Sequence, residues 1–442
     1  MLLRLIAENI FSFNESVEFN TFPSSKSHNH ENHKVECGHA TALRLSAIYG
    51  ANGAGKSNLI NVLGVLKELV INGTLNGLGP NDELSFQFNK DCSDKPSGIA
   101  IEFYQNNTLY YYHIEFNRQK VIFEKLLLSK KTKDVEIFSR KESKITVNGD
   151  FFVKGLNEQF IDALDRLIRP DMLLLTFLGK YYPNEIPTTS DAFKWFGDTL
   201  LIVKPGASTG VVPYLFDKDP SFADTVNRIM PELNTGIDKL RIKREILNED
   251  ELKGNSALLT IVNQAKQHPG KPQIIVSHSG NEISNIVYED GVIYIKSLVA
   301  VHNNLNGNEV EMPLRNESDG TCRLIEYMPV LYAITRNNHV FVVDEIERSI
   351  HPIMIKDIVR KLSESETAKG QLIFTTHESG LLDQNIFRPD EIWFAQKDAE
   401  QATQLYPLSD FNIHKTANIE NGYLNGRYGG IPFLSNLKDL HW

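Results

Sequence analysis

The chain has 442 residues and a formal net charge of −10, with 56 acidic against 46 basic side chains. This balance disfavours nonspecific nucleic-acid binding through the whole surface, because such binding rests on neutralising phosphates with basic residues. No apolar run approaches the roughly 18 residues of a membrane span, and three scattered cysteines (Cys37, Cys92 and Cys322) indicate a reducing compartment without a disulfide framework. We expect a cytoplasmic protein of two or three domains with no membrane partner.

Four histidines and a cysteine crowd a polar stretch near the N-terminus: His28, His30, His33, Cys37 and His39. Zinc accepts such ligands, but their spacing matches no standard structural zinc site. The surrounding Ser, Asn and Lys residues are typical of a mobile loop. The loop is the favoured interpretation, and a zinc site is the alternative.

A complete G-x-x-x-x-G-K-S phosphate-binding loop follows, from Gly50 to Ser57. The apolar run before it predicts a buried strand, and residues 58–72 have apolar side chains at helical spacing. In this setting, glycines let backbone N–H groups close around phosphates at a helix N-terminus. Lys56 would reach the β- and γ-phosphates, and the Ser57 hydroxyl would ligate Mg²⁺. The sequence therefore predicts a nucleoside triphosphate site whose binding residues are Asn52, Gly53, Gly55, Lys56, Ser57 and Asn58.

The segment 118–144 departs from the acidic balance of the chain, with nine Lys or Arg residues against four acids. Its apolar runs, 121–123 and 126–128, predict edge strands and a hairpin. A solvated hairpin, whose lysines discourage edge pairing, is the favoured interpretation. The alternative is a groove for nucleic acid or an acidic partner, which would use Lys130, Lys131 and Lys133.

Three regions are expected from the distribution of patterns along the chain. Residues 1–150 combine strands with the phosphate loop, 151–270 have helical periodicity, and 271–442 return to strands. No heptad pattern persists in the middle region, so we expect a compact helical insertion rather than a coiled coil. This region also contains Asp217-Lys218-Asp219, but too little sequence follows the last motif to form a nuclease domain around such a pair.

Four further motifs occur in a fixed order in the second half. Ser318-Asp319-Gly320-Thr321 precedes a helical pattern, and the apolar run 340–343 delivers Asp344 and Glu345 to the end of a buried strand. A loop containing Ser349 and His351 leads to Pro352, which suits the first turn of a helix. A second short apolar strand, 371–375, comes just before His377.

These motifs resemble those of ABC-type ATPases in the branch of the RecF, SMC and OLD proteins, and within it the bacterial AAA-fifteen group. The features specific to that group are the S-D-G-T signature, the D-E-I-E-x-S-I-H-P loop and the block from Gly422 to Phe433. The resemblance implies an α/β P-loop NTPase of the ABC-ATPase type, a two-lobed head with a mainly helical insertion between Walker A and the signature. Residues 1–150 and 271–442 would form the two lobes.

One departure from the branch concerns the N-terminus. RecF and SMC proteins carry an arginine in an N-F-R-S-F pattern, whereas this chain has Asn9-Ile10-Phe11-Ser12-Phe13. The nucleotide contact made by that arginine is therefore not expected here.

The resemblance also assigns roles to residues. Asp344 would hold Mg²⁺, Glu345 would polarise the attacking water, and His377 would sense the γ-phosphate. Ser318 and Gly320, as the signature, would reach the nucleotide on the Lys56 of a partner chain, and Ser349 and His351 would form the D-loop. Gln87 is the best candidate for a glutamine that bridges Mg²⁺ and water.

The predicted function is a Mg-ATP-dependent switch in which two or more copies sandwich ATP. The resemblance to the ATPase components of PARIS and Septu implies anti-phage defence, with a separate nuclease or toxin as effector. The alternative is a DNA repair or recombination ATPase that clamps DNA, as RecF does. A transporter subunit is disfavoured by the S-D-G-T signature and the large insertion.

Overall fold

The computed structural model describes residues 1–78, 84–153, 158–206, 211–247, 256–270, 273–276, 283–414 and 417–431. The chain divides into two compact units. The first unit comprises Met1–Ile202, Arg336–Ile346 and Lys356–Trp442, and the second comprises Val203–Thr335 and Glu347–Ile355. In the part of the chain that is described, no helix is both long and apolar enough to cross a membrane.

The strands, in chain order, are β1 (Leu2–Glu8), β2 (Val17–Asn20), β3 (Lys34–Cys37), β4 (Ala40–Leu43), β5 (Leu45–Gly50), β6 (Ser97–Gln105), β7 (Thr108–Phe116), β8 (Val121–Leu128), β9 (Val135–Lys141), β10 (Lys144–Val147), β11 (Leu200–Val203), β12 (Lys239–Ile246), β13 (Gln273–Val276), β14 (Ile283–Glu289), β15 (Val292–Asn303), β16 (Glu309–Pro313), β17 (Val340–Val343), β18 (Gln371–Thr375), β19 (Ile392–Lys397) and β20 (Thr403–Pro407). The α-helices are α1 (Lys56–Asn72), α2 (Glu158–Leu167), α3 (Leu174–Tyr181), α4 (Pro187–Lys194), α5 (Val211–Lys218), α6 (Pro220–Ile229), α7 (Ser256–Gln267), α8 (Asp319–Ile334), α9 (Pro352–Glu364) and α10 (Ile419–Leu424).

The first unit is built on a six-stranded sheet in the order β11-β17-β18-β5-β19-β20. The four central strands pair in parallel, and β20 joins the edge antiparallel to β19. β5, β17 and β18 are buried along their whole length, which explains their continuous apolar runs. Because parallel strands end at one edge, the sheet collects the segments after β5, β17 and β18 at a common edge, as in P-loop NTPases. The predicted α/β P-loop fold is thus confirmed.

A second sheet of the first unit has seven antiparallel strands in the order β10-β9-β8-β7-β6-β1-β2. Its apolar side chains share one hydrophobic core with α1, α3 and the central strands; its members include Leu5, Phe103, Leu63, Leu178 and Val342. The two apolar runs of the basic segment, 121–123 and 126–128, both lie in β8, and the hairpin of this segment is formed by β8 and β9. The prediction of edge strands was wrong, since β8 and β9 each have a neighbouring strand on both sides and β10 is at the edge. Their polar residues made both strands resemble edge strands in sequence.

The second unit contains an antiparallel sheet in the order β12-β15-β14-β13, with β16 also paired to β15. Helices α5, α6 and α8 pack against it, with Phe222, Met230, Leu298, Ile325 and Met328 in the core. The unit begins at Val203 rather than at residue 151, and it includes strands from 239 to 313. The mainly helical insertion expected over 151–270 thus differs from the observed division in its bounds. The alternation of Leu240 and Ile242 along β12 was a strand signal within the helical region.

The histidine-rich stretch folds into the first unit. His33 is fully buried, with Nδ1 2.9 Å from both carboxylate oxygens of Glu391 and Nε2 2.9 Å from the Ser363 carbonyl. Burial raises the pKa of the Glu391 carboxyl. Within the described residues, no three His, Cys, Asp or Glu side chains are gathered as a metal site. The zinc interpretation therefore lacks a set of ligands. The mobile-loop interpretation was wrong for His33, whose two ring nitrogens both have hydrogen-bond partners in the core.

The C-terminal block, from Gly422 to Ile431 as far as it is described, packs on β19 and β5. The Tyr423 ring stacks on Phe394 at 5.5 Å and meets Tyr49 edge-on at 5.8 Å. Its hydroxyl donates to the Gly430 carbonyl at 3.1 Å. The block therefore packs against β19 and β5 of the parallel sheet. Pro432 and Phe433, the last two residues of the block, lie outside the described residues.

Candidate nucleotide-binding site

The phosphate loop runs from the end of β5 to the start of α1, the strand–loop–helix context that the sequence predicts. Gly53 and Gly55 have φ angles of 78° and 102°, in the left-handed region that favours glycine. Gly50 lies against β19, where a Cβ atom would be 2.5 Å from the Ala395 carbonyl oxygen. Gly55 caps α1, and the Asn58 N–H donates to the Gly55 carbonyl at 3.1 Å. The loop thus leads directly into a helix N-terminus, the end of a helix that favours an anion.

A pocket of about 200 Å³ opens over this loop. Its lining unites most of the residues that the sequence predicts to act together: Asn52, Gly53, Ala54, Gly55, Lys56, Ser57, Asn58, Glu345 and His377. These residues come from three separate stretches of chain, brought together at the carboxyl edge of β5, β17 and β18. All of them belong to the first unit.

Lys56 is buried, and its ammonium group donates to the Gly50 and Ala51 carbonyls at 2.8 and 3.1 Å. The ammonium thus lies against the backbone of the loop that would surround a phosphate chain. A γ-phosphate in the pocket would offer stronger, charged acceptors than these neutral carbonyls. The position of Lys56 suits a group that moves from the loop to the nucleotide.

The metal end of the site is formed by Ser57 and Asp344, which are 287 residues apart in sequence. The Ser57 hydroxyl donates to Asp344 Oδ1 at 3.2 Å, and the Thr375 hydroxyl donates to the same oxygen. Asp344 is buried at the end of β17. A hydroxyl and a carboxylate in contact are the oxygen ligands that Mg²⁺ prefers beside nucleotide phosphates. The two predicted metal ligands therefore fit a shared ion.

Glu345, the next residue, has an unusual backbone conformation with φ of 52°. Its N–H donates to the Thr375 hydroxyl at 2.8 Å, which fixes this turn against β18. A non-glycine residue in the left-handed region costs free energy, and such strain clusters at functional sites. Here the turn directs Glu345 into the pocket lining while Asp344 stays buried.

His377 follows β18 and lines the same pocket as an exposed side chain. The two residues before it are held firmly, since Thr375 contacts Asp344 and the Thr376 N–H donates to the Ile48 carbonyl at 3.1 Å. Its location at the pocket opening agrees with a group that meets the far end of a phosphate chain.

The predicted signature and D-loop lie in the second unit and contact each other. Ser318 is the N-cap of α8, where its hydroxyl accepts from the Thr321 N–H at 3.1 Å. A Cβ atom on Gly320 would be 2.5 Å from the Ser349 carbonyl oxygen, so only glycine fits there. Ser349 itself has φ of 62°, and His351 Nδ1 accepts from the Ile353 N–H at 3.3 Å.

Gln87 is placed differently from the other predicted residues. Its side chain is exposed, its amide donates to the Ser85 carbonyl at 2.8 Å, and it is absent from the lining of the pocket. A role for Gln87 at the metal remains only a prediction.

Two residues at the site were missed by sequence reasoning, Ser12 and Thr403. Their hydroxyls lie 2.8 Å apart, directly against Gly55. Ser12 belongs to the segment Asn9–Phe13, which corresponds to the N-F-R-S-F pattern of RecF and SMC proteins. That correspondence could have indicated that Ser12 lies near the nucleotide. Thr403 stands in no motif; it begins β20, which pairs with β19, and β19 in turn pairs with β5 next to the loop.

The sequence matches one family over residues 45–383, the family described as "AAA domain, putative AbiEii toxin, Type IV TA system". No protein of curated function matches at a significant level. Among solved structures, an SMC head bound to the C-terminal winged-helix domain of ScpA is 13% identical with a TM-score of 0.40, covering 92% of this chain and 97% of that chain. The SMC head domain from Thermotoga maritima is 11% identical with a TM-score of 0.37, covering 93% and 99%.

A third similar structure is an SMC head with an extended coiled coil bound to the C-terminal domain of ScpA, from Pyrococcus furiosus, at 11% identity and a TM-score of 0.38 over 92% and 96% of the two chains. No functional inference follows from similarity at this level. The family match is different, because it spans most of the chain and includes the phosphate loop, the Asp344-Glu345 pair and His377. This chain is a nucleotide-binding P-loop ATPase and belongs to the AAA-domain family described in connection with AbiEii toxins and type IV toxin–antitoxin systems.

Proposed function

We propose that this chain hydrolyses Mg-ATP and acts as the regulatory switch of an anti-phage defence system, in which it controls a separate effector protein. The observation that carries the hydrolytic part is the pocket that unites the phosphate loop with Glu345 and His377. The proposal has three steps: phosphate binding, water activation and coupling to a partner.

Phosphate binding rests on the first unit alone. The backbone of Gly53 to Ser57 would surround the β- and γ-phosphates, and Lys56 would exchange its two carbonyl contacts for phosphate oxygens. Mg²⁺ held by Ser57 and Asp344 would neutralise part of the phosphate charge.

Water activation is assigned to Glu345. Phosphoryl transfer to water needs a residue that positions the nucleophile in line with the leaving group. Glu345 is the carboxylate of the pocket lining, and its strained turn separates it from the buried Asp344. His377, at the pocket opening, would contact the γ-phosphate and report its loss.

Coupling rests on the signature in the second unit. Ser318 caps α8, since its hydroxyl accepts from the Thr321 N–H at 3.1 Å. The positive end of the dipole of this helix would favour an anion here. We propose that this site meets the γ-phosphate held by a second copy of the chain, so that ATP joins two copies and hydrolysis releases them.

The defence role rests on the family and on the resemblance to PARIS and Septu components. The family description names a putative toxin of a type IV toxin–antitoxin system, which supports a role in a defence system of more than one protein. The role predicts that phage form fewer plaques on cells that carry the gene for this chain together with its neighbouring genes. Lys56→Ala should restore the number of plaques. Glu345→Gln, which would hold ATP without hydrolysing it, should retain the effector in affinity purification, whereas Lys56→Ala should not.

The result that would contradict the defence role is equal phage plating with wild-type and Lys56→Ala chains, together with ATPase activity that duplex DNA stimulates. That combination would favour the DNA-clamping alternative.

A further inference from the structure

Two hydroxyl groups, those of Ser12 and Thr403, lie against the phosphate loop, and neither residue is in the lining of the pocket. Thr403 Oγ1 lies 2.9 Å from the Ala54 carbonyl oxygen and 2.8 Å from Ser12 Oγ. The Thr403 N–H donates to the Ser12 carbonyl at 2.7 Å. Thr403 is fully buried and Ser12 nearly so.

The Thr403 hydroxyl is placed as a donor toward two oxygens, the Ala54 carbonyl oxygen and Ser12 Oγ. Because the hydroxyl has a single proton, it donates to one of them at a time. Thr403 Oγ1 thus lies between Ser12 and the loop backbone that joins Gly53 to Gly55, and it is a buried donor for the Ala54 carbonyl.

The contact is too close for a side chain at Gly55. A Cβ atom on Gly55 would be 2.1 Å from Thr403 Oγ1 and 2.8 Å from Ser12 Oγ. The loop backbone therefore rests directly on the two hydroxyls, with Gly55 at φ of 102°.

The hairpin that carries Thr403 is itself fixed. Asp398, at the turn between β19 and β20, accepts from the Glu400 and Ala402 N–H groups at 2.9 Å and from the Gln404 amide at 3.0 Å. On its other side, β19 pairs with β5, which leads into the phosphate loop. Thr403 is therefore held at a set distance from both ends of that loop.

We propose that Thr403, held by its backbone hydrogen bond to Ser12, is a positioning residue that keeps the phosphate loop in its nucleotide-binding conformation before nucleotide arrives. This rests on the proposed ATP site. Without the hydroxyl, the Ala54 carbonyl loses its buried donor and the loop gains other conformations. The apparent dissociation constant for ATP rises in inverse proportion to the fraction of competent loops.

The test compares Thr403→Val, which keeps the shape and removes the hydroxyl, with a matched control. Thr21→Val is that control, because the buried Thr21 hydroxyl also donates to a backbone carbonyl, Leu2, at 2.8 Å. Mg-ATP binding is measured by calorimetry, and unfolding by thermal melting. We expect Thr403→Val to bind about tenfold more weakly, which corresponds to about 1.4 kcal/mol. Thr21→Val should lower the melting temperature to a similar extent and bind ATP as the wild type does.

Two further variants keep the proposal testable if Thr403→Val is too unstable to purify. Thr403→Ser retains the donor and should restore affinity. Ser12→Ala removes only the neighbouring hydroxyl and should change the affinity by about threefold or less. In the double variant with Thr403→Val this effect should disappear, since coupled residues are not additive. At saturating ATP, kcat should stay within about twofold of wild type in all of them.

Wild-type affinity in Thr403→Val, or equal losses of affinity in Thr403→Val and Thr21→Val, would overturn the positioning role and leave the proposed function intact. A wild-type chain that binds no ATP, or a Lys56→Ala variant that binds like wild type, would instead overturn both.

Discussion

Each unit of the molecule contains a cluster of charged side chains, and the two clusters are organised in opposite ways. In the first unit, Lys56, Glu345 and His377 line a cavity. In the second unit, Lys296 is buried with its ammonium 2.8 Å from Asp217 and 2.9 Å from Glu289. The second cluster neutralises itself, whereas the first surrounds a space of about 200 Å³.

The first cluster is arranged to bind a ligand, whereas the second stabilises the fold. Both clusters contain residues that stand out in the sequence, the phosphate loop in one and Asp217-Lys218-Asp219 in the other. The structure accounts for the second pair without a metal, because Asp217 pairs with Lys296 and Asp219 caps α6 through the Ser221 and Phe222 N–H groups. Changes in the first cluster should alter nucleotide binding or hydrolysis and leave the stability of the fold nearly unchanged. Changes in the second cluster should lower the stability of the fold and leave nucleotide binding nearly unchanged.

The largest effect is expected at Lys56 and Glu345. Lys56→Ala should abolish ATP binding, because the ammonium is the main counter-charge to the phosphates. Glu345→Gln should bind ATP but hydrolyse it on the order of a hundredfold more slowly or worse, since only the water-positioning group is lost. Calorimetric titration and phosphate release measure the two effects, and both variants should melt close to wild type. Wild-type turnover by Glu345→Gln would refute the assignment.

The corresponding change in the second unit is Lys296→Met. Removing Lys296 leaves Asp217 and Glu289 with only the more exposed Lys218 and Arg244 as counter-charges. The free energy of unfolding should therefore fall by about 1–3 kcal/mol. Lys243→Met is the matched control, because Lys243 pairs with Glu245 at the surface of the neighbouring strand and its loss should be hardly measurable. Denaturant unfolding measures the free energy of unfolding of both variants. Equal losses in Lys296→Met and Lys243→Met would contradict a stabilising role of the buried cluster.

A smaller effect concerns pH. The hydrogen bond from Lys296 lowers the pKa of Glu289 from its ordinary 4.5 to about 2. A depressed carboxyl pKa contributes stability above pH 4.5, and this contribution is lost as the pH falls through about 2. Unfolding followed by fluorescence between pH 5 and 2 should show this loss, and Glu289→Gln should make the curve flatter over the same range. A slope unchanged by that substitution would exclude Glu289 as its source.

The smallest effect is expected in the basic segment. Lys130, Lys131 and Lys133 are exposed in the turn between β8 and β9, whereas Lys120 and Lys125 pair with Glu142 and Glu136. Changing the three lysines to Glu should leave ATPase activity unchanged, and the wild type should bind duplex DNA weakly at about 0.15 M salt. A tight, ATP-dependent DNA complex that the triple variant loses would instead support the DNA-clamping alternative.

The sequence predicts the first cluster well because its parts are short, contiguous motifs tied to strand ends. It predicts the supporting residues poorly, since Thr403 and Ser12 are 391 residues apart and meet only through the order of the parallel sheet. Histidine spacing was misleading for a related reason, because the buried partner of His33 is Glu391 from the far end of the chain. Strand β12 was not predicted because its apolar residues alternate with lysines and arginines and most of its residues are exposed or half-buried.

The most direct test of the central claim, an ATP site completed by a second copy of the chain, is to mix two inactive variants. Lys56→Ala cannot hold nucleotide, and Ser318→Arg cannot offer its helix N-terminus to a partner. In a mixed dimer, one composite site joins an intact Lys56 loop to an intact Ser318. We predict that an equimolar mixture regains part of the ATPase activity that each variant lacks alone, measured by phosphate release. If the mixture stays inactive although the two chains are shown to assemble, each chain completes its own site and the account is contradicted.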